Sequence, residues 1–266
     1  MFKENPDNMR MEPTPERVLS ICRILSQQSM TTEQLRAAMT LDLKGVDEID
    51  QVNKSISVAM EELNLIDMKD NYLQYIADAD IISTPDNFRK YIAAKIFYRK
   101  SSTFVMFSKW FISQNEKVFP LKKWEVLAKT CGSEISELSA INENAVLGWR
   151  FWATFLGLGY LSGTMMIPNM KIRLQDILST VFPENFQYGE AVRATDFIAW
   201  LGPKLPEADL SGKLPLAVSA ALRTLHELDL IKLETWRDSN RIMLYTIDGE
   251  LINDFSHITV SKEVQN

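Results

Sequence analysis

One local pattern, apolar-x-x-Leu-x-apolar-apolar, constrains this chain more than any other feature, because it occurs three times. The copies are Met60-Glu-Glu-Leu63-Asn-Leu-Ile66, Phe155-Leu-Gly-Leu158-Gly-Tyr-Leu161 and Leu225-His-Glu-Leu228-Asp-Leu-Ile231, and their central leucines stand 95 and 70 residues apart. A run with apolar residues at helical spacing precedes each copy, and a candidate hairpin follows it. The pattern therefore reads as a helix end running into the first strand of a hairpin.

The region before the first copy supplies the rest of a unit. Thr14 suits an N-cap, Pro15 the first helical position and Glu16 the helix dipole, and Val18, Ile21, Cys22 and Leu25 follow at helical spacing. Thr31 with Gln34 forms a capping box for a second helix to Met39. After an acidic connector over 41–50, Ile49, Val52, Ile56, Ala59, Met60 and Leu63 mark a third helix, and segments 65–68 and 72–76 flank the polar turn Lys69-Asp70-Asn71. Three helices and a hairpin in that order describe a winged helix.

The other two copies extend the same reading. In the middle, helices are expected over 104–113, 122–131 and 142–156, with strands at 161–162 and 171–174 around 163–170. In the last, a helix over 195–201 leads through a connector at 203–212 to a helix over 214–228, with strands at 231–235 and 241–246 around 236–240. An extra helix capped at Thr84 fills 85–100, with apolar residues all around it, as expected of a helix packed between neighbours. The expected fold class is mainly α with small β-hairpin wings, α+β, as a tandem array of three winged-helix domains. Their bounds are 14–80, 85–182 (connecting helix plus second winged helix) and 186–260.

Charge follows this division. The chain of 266 residues carries a net −6, which splits into −7 over 1–82, +6 over 83–182 and −5 over 183–266. A sequence pI near 5.2 argues against coating of nucleic acid or an anionic membrane by the whole surface. The basic middle third escapes that objection. The polar start has no apolar h-region, and the longest apolar stretch, 151–161, is half of the ~20 residues that span a bilayer, so the expectation is a cytoplasmic protein without membrane contact. Glycines number only 10, with neither G-x-G-x-x-G nor G-x-x-x-x-G-K-[ST] among them, which removes the main support for dinucleotide and P-loop readings.

Catalytic chemistry finds little purchase. His226 and His257 have no His or Cys at metal-ligand spacing, Cys22 and Cys131 read as buried structural thiols, and Asp47-Glu48 and Glu61-Glu62 read as solvated charge. The expectation is no enzyme, no catalytic or metal-binding residue and no cofactor.

Nucleic-acid contact has better candidates. The first helix 3 carries Lys54 against Asp47, Glu48, Asp50, Glu61 and Glu62, a poor phosphate-facing surface. The second, with Trp149, Phe151, Trp152 and Phe155 around Arg150, looks like core or partner contact. The third offers Lys213, Ser219 and Arg223, followed by a wing with Trp236, Arg237, Asn240 and Arg241. The alternative for Arg237 and Arg241 is turn charge paired with Glu234 and Asp238. A second candidate is the strip Arg89, Lys90, Lys95, Arg99, Lys100, Lys122 and Lys123, which with Lys109 and Lys117 makes nine cations against Asp86 and Glu116. Interleaved aromatics would suit a stacking strip, and they fit helical core positions equally well.

The segments GWRFWATFLGLGYL (148–161), VSAALRTLHELDLIKLE (218–234) and FSHITV (255–260), together with WFISQ (110–114), resemble DpdG-type proteins. These belong to bacterial gene clusters that insert deazaguanine bases into DNA and restrict unmodified DNA. The resemblance implies a non-catalytic component of a DNA-targeting defence system and supplies no catalytic residues. The functional expectation is accordingly an adaptor or DNA-associating subunit of a multi-protein defence or restriction complex, with DNA and protein subunits as partners. The alternative is a winged-helix transcriptional regulator that binds an operator as a dimer.

Overall fold

The computed structural model describes residues 1–4, 9–40, 46–247 and 252–265. The expected acidic connector begins at 41–45, outside the described residues. The protein is a mainly helical α+β chain with small antiparallel sheets. It divides into two compact units, Met1–Phe107 with Trp124–Phe155, and Ser108–Lys123 with Leu156–Asn266.

In the first unit, Thr14 accepts the Arg17 amide at 3.4 Å and Pro15 opens α1 (Pro15–Gln27), whose Val18, Ile21, Cys22 and Leu25 are buried. After β1 (Met30–Thr31), the capping box of Thr31 and Gln34 starts α2 (Thr32–Met39). Next, α3 (Val46–Ser57) runs into a π-helical turn at Val58–Glu62. Asp70 and Asn71 then take left-handed φ of 51° and 67°, the two-residue geometry that folds β2 (Ile66–Lys69) onto β3 (Tyr72–Tyr75). The sheet order is β1-β3-β2. Beyond it lie α4 (Asp80–Ser83), α5 (Pro85–Ile96), α6 (Thr103–Ser113), α7 (Trp124–Glu134) and α8 (Glu143–Phe155), and the division between units falls within α6.

Two of the four aromatic residues of α8 are core, whereas Phe151 is exposed and Phe155 half-buried. Trp149 and Trp152 are fully buried, Phe2 meets Trp152 edge-on at 4.8 Å and Phe104 at 5.1 Å, and Trp152 Nε1 donates to the Pro13 carbonyl at 2.6 Å. A buried indole that keeps a hydrogen bond for its N–H avoids the desolvation cost of that group. Gly148 has no room for a side chain, because a Cβ there would strike the Arg10 backbone.

In the second unit, a hairpin of β4 (Gly159–Ser162) and β5 (Met165–Pro168) closes through Gly163 at φ 62°. The expected strand at 171–174 is instead the start of α9 (Lys171–Thr180). The tight turn returns the chain at once, and Leu174, Ile177 and Leu178 are buried at helical spacing. The elements β6 (Ala191–Arg193), α10 (Ala194–Leu201), α11 (Leu216–Glu227), β7 (Ile231–Glu234), β8 (Ile242–Met243), β9 (Asp254–Phe255) and β10 (His257–Val260) complete the unit. The expected pairing of 231–235 with 241–246 is not made. β7 pairs with β10, β8 pairs with β9, and the larger sheet has the order β6-β10-β7. The tail takes that place: Ile258 and Val260 are fully buried opposite Leu233 and Ile231.

The runs α1-β1-α2-α3-β2-β3 and α9-β6-α10-α11-β7-β10 thus share one topology, with the last-formed strand central in each sheet. Their third helices also stop alike. Asn64 (φ 53°) and Asp229 (φ 57°), each following the aligned leucine, adopt the left-handed conformation that ends a helix. The Leu65 amide then bonds the Ala59 carbonyl at 2.9 Å and the Leu230 amide the Leu225 carbonyl at 3.0 Å, one residue further back in the first case because the last turn is π. The middle pattern differs: its left-handed residue is Gly157 (φ 75°), α7 and α8 belong to the first unit, and β4 and β5 belong to the second.

Candidate nucleic-acid interface

The cations of the 89–123 strip fall in both units, Arg89 to Lys100 in the first and Lys122 and Lys123 in the second. Several are engaged within the protein. Lys95 Nζ donates to the Leu63 carbonyl at 2.9 Å and lies 4.6 Å from the Tyr91 ring centroid, while Arg99 donates to the Glu62 carbonyl at 2.5 Å and the Phe2 carbonyl at 3.5 Å. Two cations four residues apart on α5 and its continuation thereby cap the carbonyl end of α3 and its π turn, where the helix dipole favours positive charge. Arg89 pairs with Asp86 at 2.7 Å. Lys100, Lys122 and Lys123 are exposed and Lys90 is half-buried, and none of these four side chains has a hydrogen bond or ion pair among the described residues.

At the first unit's α3 and its π turn, Asp50, Glu61 and Glu62 are bound locally, while the side chains of Asp47 and Glu48 lie outside the description. Lys54 bridges Glu12 at 2.7 Å and Asp50 at 2.5 Å, so the segment before α1 is tied across the helix, leaving a groove of about 450 Å³ between them. The Glu12 carboxyl is pushed up by burial and brought below its ordinary value by the Lys54 hydrogen bond and its own backbone. The Lys54 ammonium is held above its usual range by hydrogen bonds to Asp50 and Glu12. Glu62, at the π turn, is 4% exposed, and its carboxylate takes the Met1 amino group at 2.9 Å and the Phe2 amide at 2.5 Å.

On α11, Ser219 is fully buried and Arg223 is 8% exposed, so neither presents a free surface. The chain between β7 and β10 folds back on them: the Tyr245 amide donates to Ser219 Oγ at 2.8 Å, and Arg223 Nε donates to the Ile252 carbonyl at 2.9 Å. This arm is secured further by Glu116, which accepts the Tyr245 hydroxyl proton. That bond pushes the Tyr245 pKa up to about 12 and lowers that of Glu116. Lys213 is exposed, with Nζ 4.6 Å from the Tyr245 ring centroid.

The hairpin residues remain outward. Arg237 is exposed without a partner among the described residues, and Arg241 reaches Asp254 at 3.5 Å. Glu234 pairs with Lys232 at 2.8 Å, so the expected pairing of the two arginines with Glu234 and Asp238 is not formed. Asn240 lines a polar pocket of about 290 Å³ with Arg193, Thr195, Asp238, Ser239, Ser256 and His257. Trp236, 46% exposed, stacks on the His257 ring at 3.7 Å and 20°. Of these, sequence reasoning singled out Trp236 and Asn240, took Asp238 as a turn charge, and did not assign Arg193, Thr195 or His257 to the site. The available signal was the β-branched run Ile258-Thr259-Val260 that follows His257 in FSHITV and places it at the start of a strand. No local pattern marks Arg193, which reaches the site by pairing of β6 with β10.

Cys22 and Cys131 are buried thiols, each pushed up to about 12, chiefly by desolvation. Among the described residues no cluster of His, Cys, Asp or Glu could hold a metal, and no helix is long and apolar enough to cross a membrane. Fold and surface together define a mainly helical protein in which one topology recurs in two runs, the later of them carrying Arg237 and Arg241 in the connection between β7 and β10. The family model described as DpdG-like matches residues 8–239, and the chain belongs to that family. No curated protein and no solved structure matches it. Membership connects the protein with the deazaguanine modification system.

Proposed function

We propose that the chain is a non-catalytic, DNA-associating adaptor of the deazaguanine modification and defence system, built as an array of winged-helix units. The observation that carries this reading is the repeated topology, helix-strand-helix-helix-strand-strand with sheet order 1-3-2, at both ends of the chain. A winged helix meets DNA through its third helix and wing.

The two ends divide the work. The acidic first copy, its third helix tied to the preceding segment, serves a protein partner. The last copy associates with DNA through its hairpin cations Arg237 and Arg241, with Lys213, Lys122 and Lys123 as further phosphate contacts. Thiols pushed up to about 12 are poor nucleophiles at neutral pH, which supports the non-catalytic reading proposed here.

The experiment is a salt series of duplex DNA binding by the full chain. Binding should weaken steeply with salt and depend little on sequence. Arg237→Glu with Arg241→Glu should lower affinity about tenfold and reduce the slope of log K against log salt by about 1 to 2. Lys122→Glu with Lys123→Glu should act in the same direction. A chain without duplex affinity refutes the DNA association, and a protected operator with two half-sites would transfer the assignment to a dimeric regulator.

A further inference from the structure

The pocket beneath the last hairpin has features that neither the family assignment nor the array topology requires. We infer that the pocket between Arg193 and Thr195 on one side and Asn240 on the other, with His257 in its wall, binds a phosphate ester.

The argument is one of converging donors. The Arg193 side chain is exposed and makes no hydrogen bond or ion pair among the described residues, so its guanidinium is available to an incoming oxyanion. The Thr195 hydroxyl and the Asn240 amide line the same cavity. His257 is buried, 6% exposed, and fixed on two sides, by the Trp236 stack and by Ser256 Oγ at 3.0 Å from Nδ1. The Ser256 hydroxyl accepts the Trp236 amide at 2.7 Å and has one proton to give. Its shorter contact is to Nδ1, against 3.3 Å to the Glu234 carbonyl. Nε2 is the ring nitrogen left without a protein partner among the described residues, and when it carries the ring proton it is a further donor. A guanidinium, an amide and an imidazole N–H match the several acceptor oxygens of a phosphate, beside a Thr195 hydroxyl that donates to Asp196 Oδ1 at 3.4 Å.

Asp238 also lines the cavity, and its carboxylate opposes an anion. It limits the site to a single phosphate and gives the inference a test of opposite sign. The volume of about 290 Å³ exceeds that of a bare phosphate and admits the attached sugar. The source favoured by the proposed DNA association is a backbone phosphate of DNA, and for that source alone the inference rests on that reading.

The test uses the full chain, with inorganic phosphate as probe and Trp236 fluorescence as reporter, Trp236→Phe identifying its share of the signal. Phosphate should perturb the emission, Arg193→Ala should abolish the response, and Asp238→Asn should tighten it severalfold. Both substitutions are at exposed side chains, and Asn tolerates the left-handed φ of 60° at position 238. In parallel, Arg193→Ala should weaken duplex DNA binding about tenfold and lower the salt slope by about 1. A phosphate response without duplex binding keeps the pocket, assigns it to a soluble phosphate ester and removes the DNA association. Duplex binding unchanged by Arg193→Ala and Asp238→Asn, with fluorescence silent to phosphate, overturns the pocket while leaving the DNA association intact.

Discussion

The first and last copies of the fold share a topology and differ in how the third helix is covered. Counted back from the aligned Leu63 and Leu228, Lys54 of α3 and Ser219 of α11 occupy the same position. Lys54 is bound by Glu12, from the segment before the copy begins. Ser219 is bound by Tyr245, from the arm between its last two strands. In the first copy that strand connection is the two-residue turn Asp70–Asn71, whereas in the last it runs from Glu234 to His257 and contains its own strand pair, β8 and β9. A shared scaffold leaves the covering of its third helix to loop length, and only the long loop also builds a pocket. The hairpin that would meet DNA is thus the one with a second structure built into it.

The interiors offer the largest way to break this comparison. Helix α1 buries only Val18, Ile21, Cys22 and Leu25 with their apolar neighbours, whereas α9 buries Arg173 beside Leu174 and Ile177. Arg173 Nε donates to Glu207 Oε1 at 2.7 Å and Nη2 donates to the Lys204 carbonyl at 3.0 Å, fixing the connector after α10 to α9. Arg173→Met strands a carboxylate that is 1% exposed and should cost about 3–5 kcal/mol in chemical unfolding. Arg173→Met with Glu207→Leu should recover most of the loss, because the desolvation of both charges is removed together. The apolar counterpart Cys22→Val should cost less than about 1.5 kcal/mol. Equal losses at the two helices would show that the pair does not distinguish the copies.

A smaller effect tests the arm itself. Ser219→Ala removes the acceptor of the Tyr245 amide, a loss of about 1 kcal/mol for a half-buried donor. The measurement is hydrogen exchange: the Tyr245 amide should exchange faster, while amides of β2 and β3 in the first copy keep their protection. Uniform change in both copies would mean that the arm is not a separate local structure.

Local signals carried the first copy almost whole. Thr14-Pro15, the Thr31/Gln34 capping box and the Asp70–Asn71 turn are contacts between near neighbours, and the structure forms each of them. What the sequence did not reveal lies in long-range pairing. Residues 171–174 are too few to separate strand from helix by periodicity, and the chain's return through Gly163 is what frees them to start α9. The partner of β7 is β10, more than twenty residues on, past a nearer segment with the right composition. The candidate cations split for the same reason. Lys95 and Arg99 look like solvent-facing charge until α5 is set against the end of α3, and Ser219 and Arg223 look like a reading surface until the arm folds over them.

The smallest effect concerns the anchor of the first copy and is best read as a pH profile. The folded Glu12 carboxyl lies below its reference of 4.5, so its pairing contributes stability that is present above that pH and is lost as pH falls through the folded value. The folded Lys54 ammonium lies above its reference of 10.5, so its contribution is present below that pH and is lost as pH rises through the folded value. Between the two limits the pair is intact. Both side chains are partly exposed, which screens the interaction and holds it to at most about 1 kcal/mol. Glu12→Gln should therefore lower the unfolding midpoint slightly at neutral pH and converge with the parent chain in acid. Its alkaline limb should shrink without vanishing, because Asp50 still pairs with Lys54 at 2.5 Å. Ser219→Ala, which removes a neutral hydrogen bond at the equivalent position, should show a loss independent of pH over the same range. Parallel pH profiles for the two variants would break the comparison, since they would mean that charge does not hold the first cover in place.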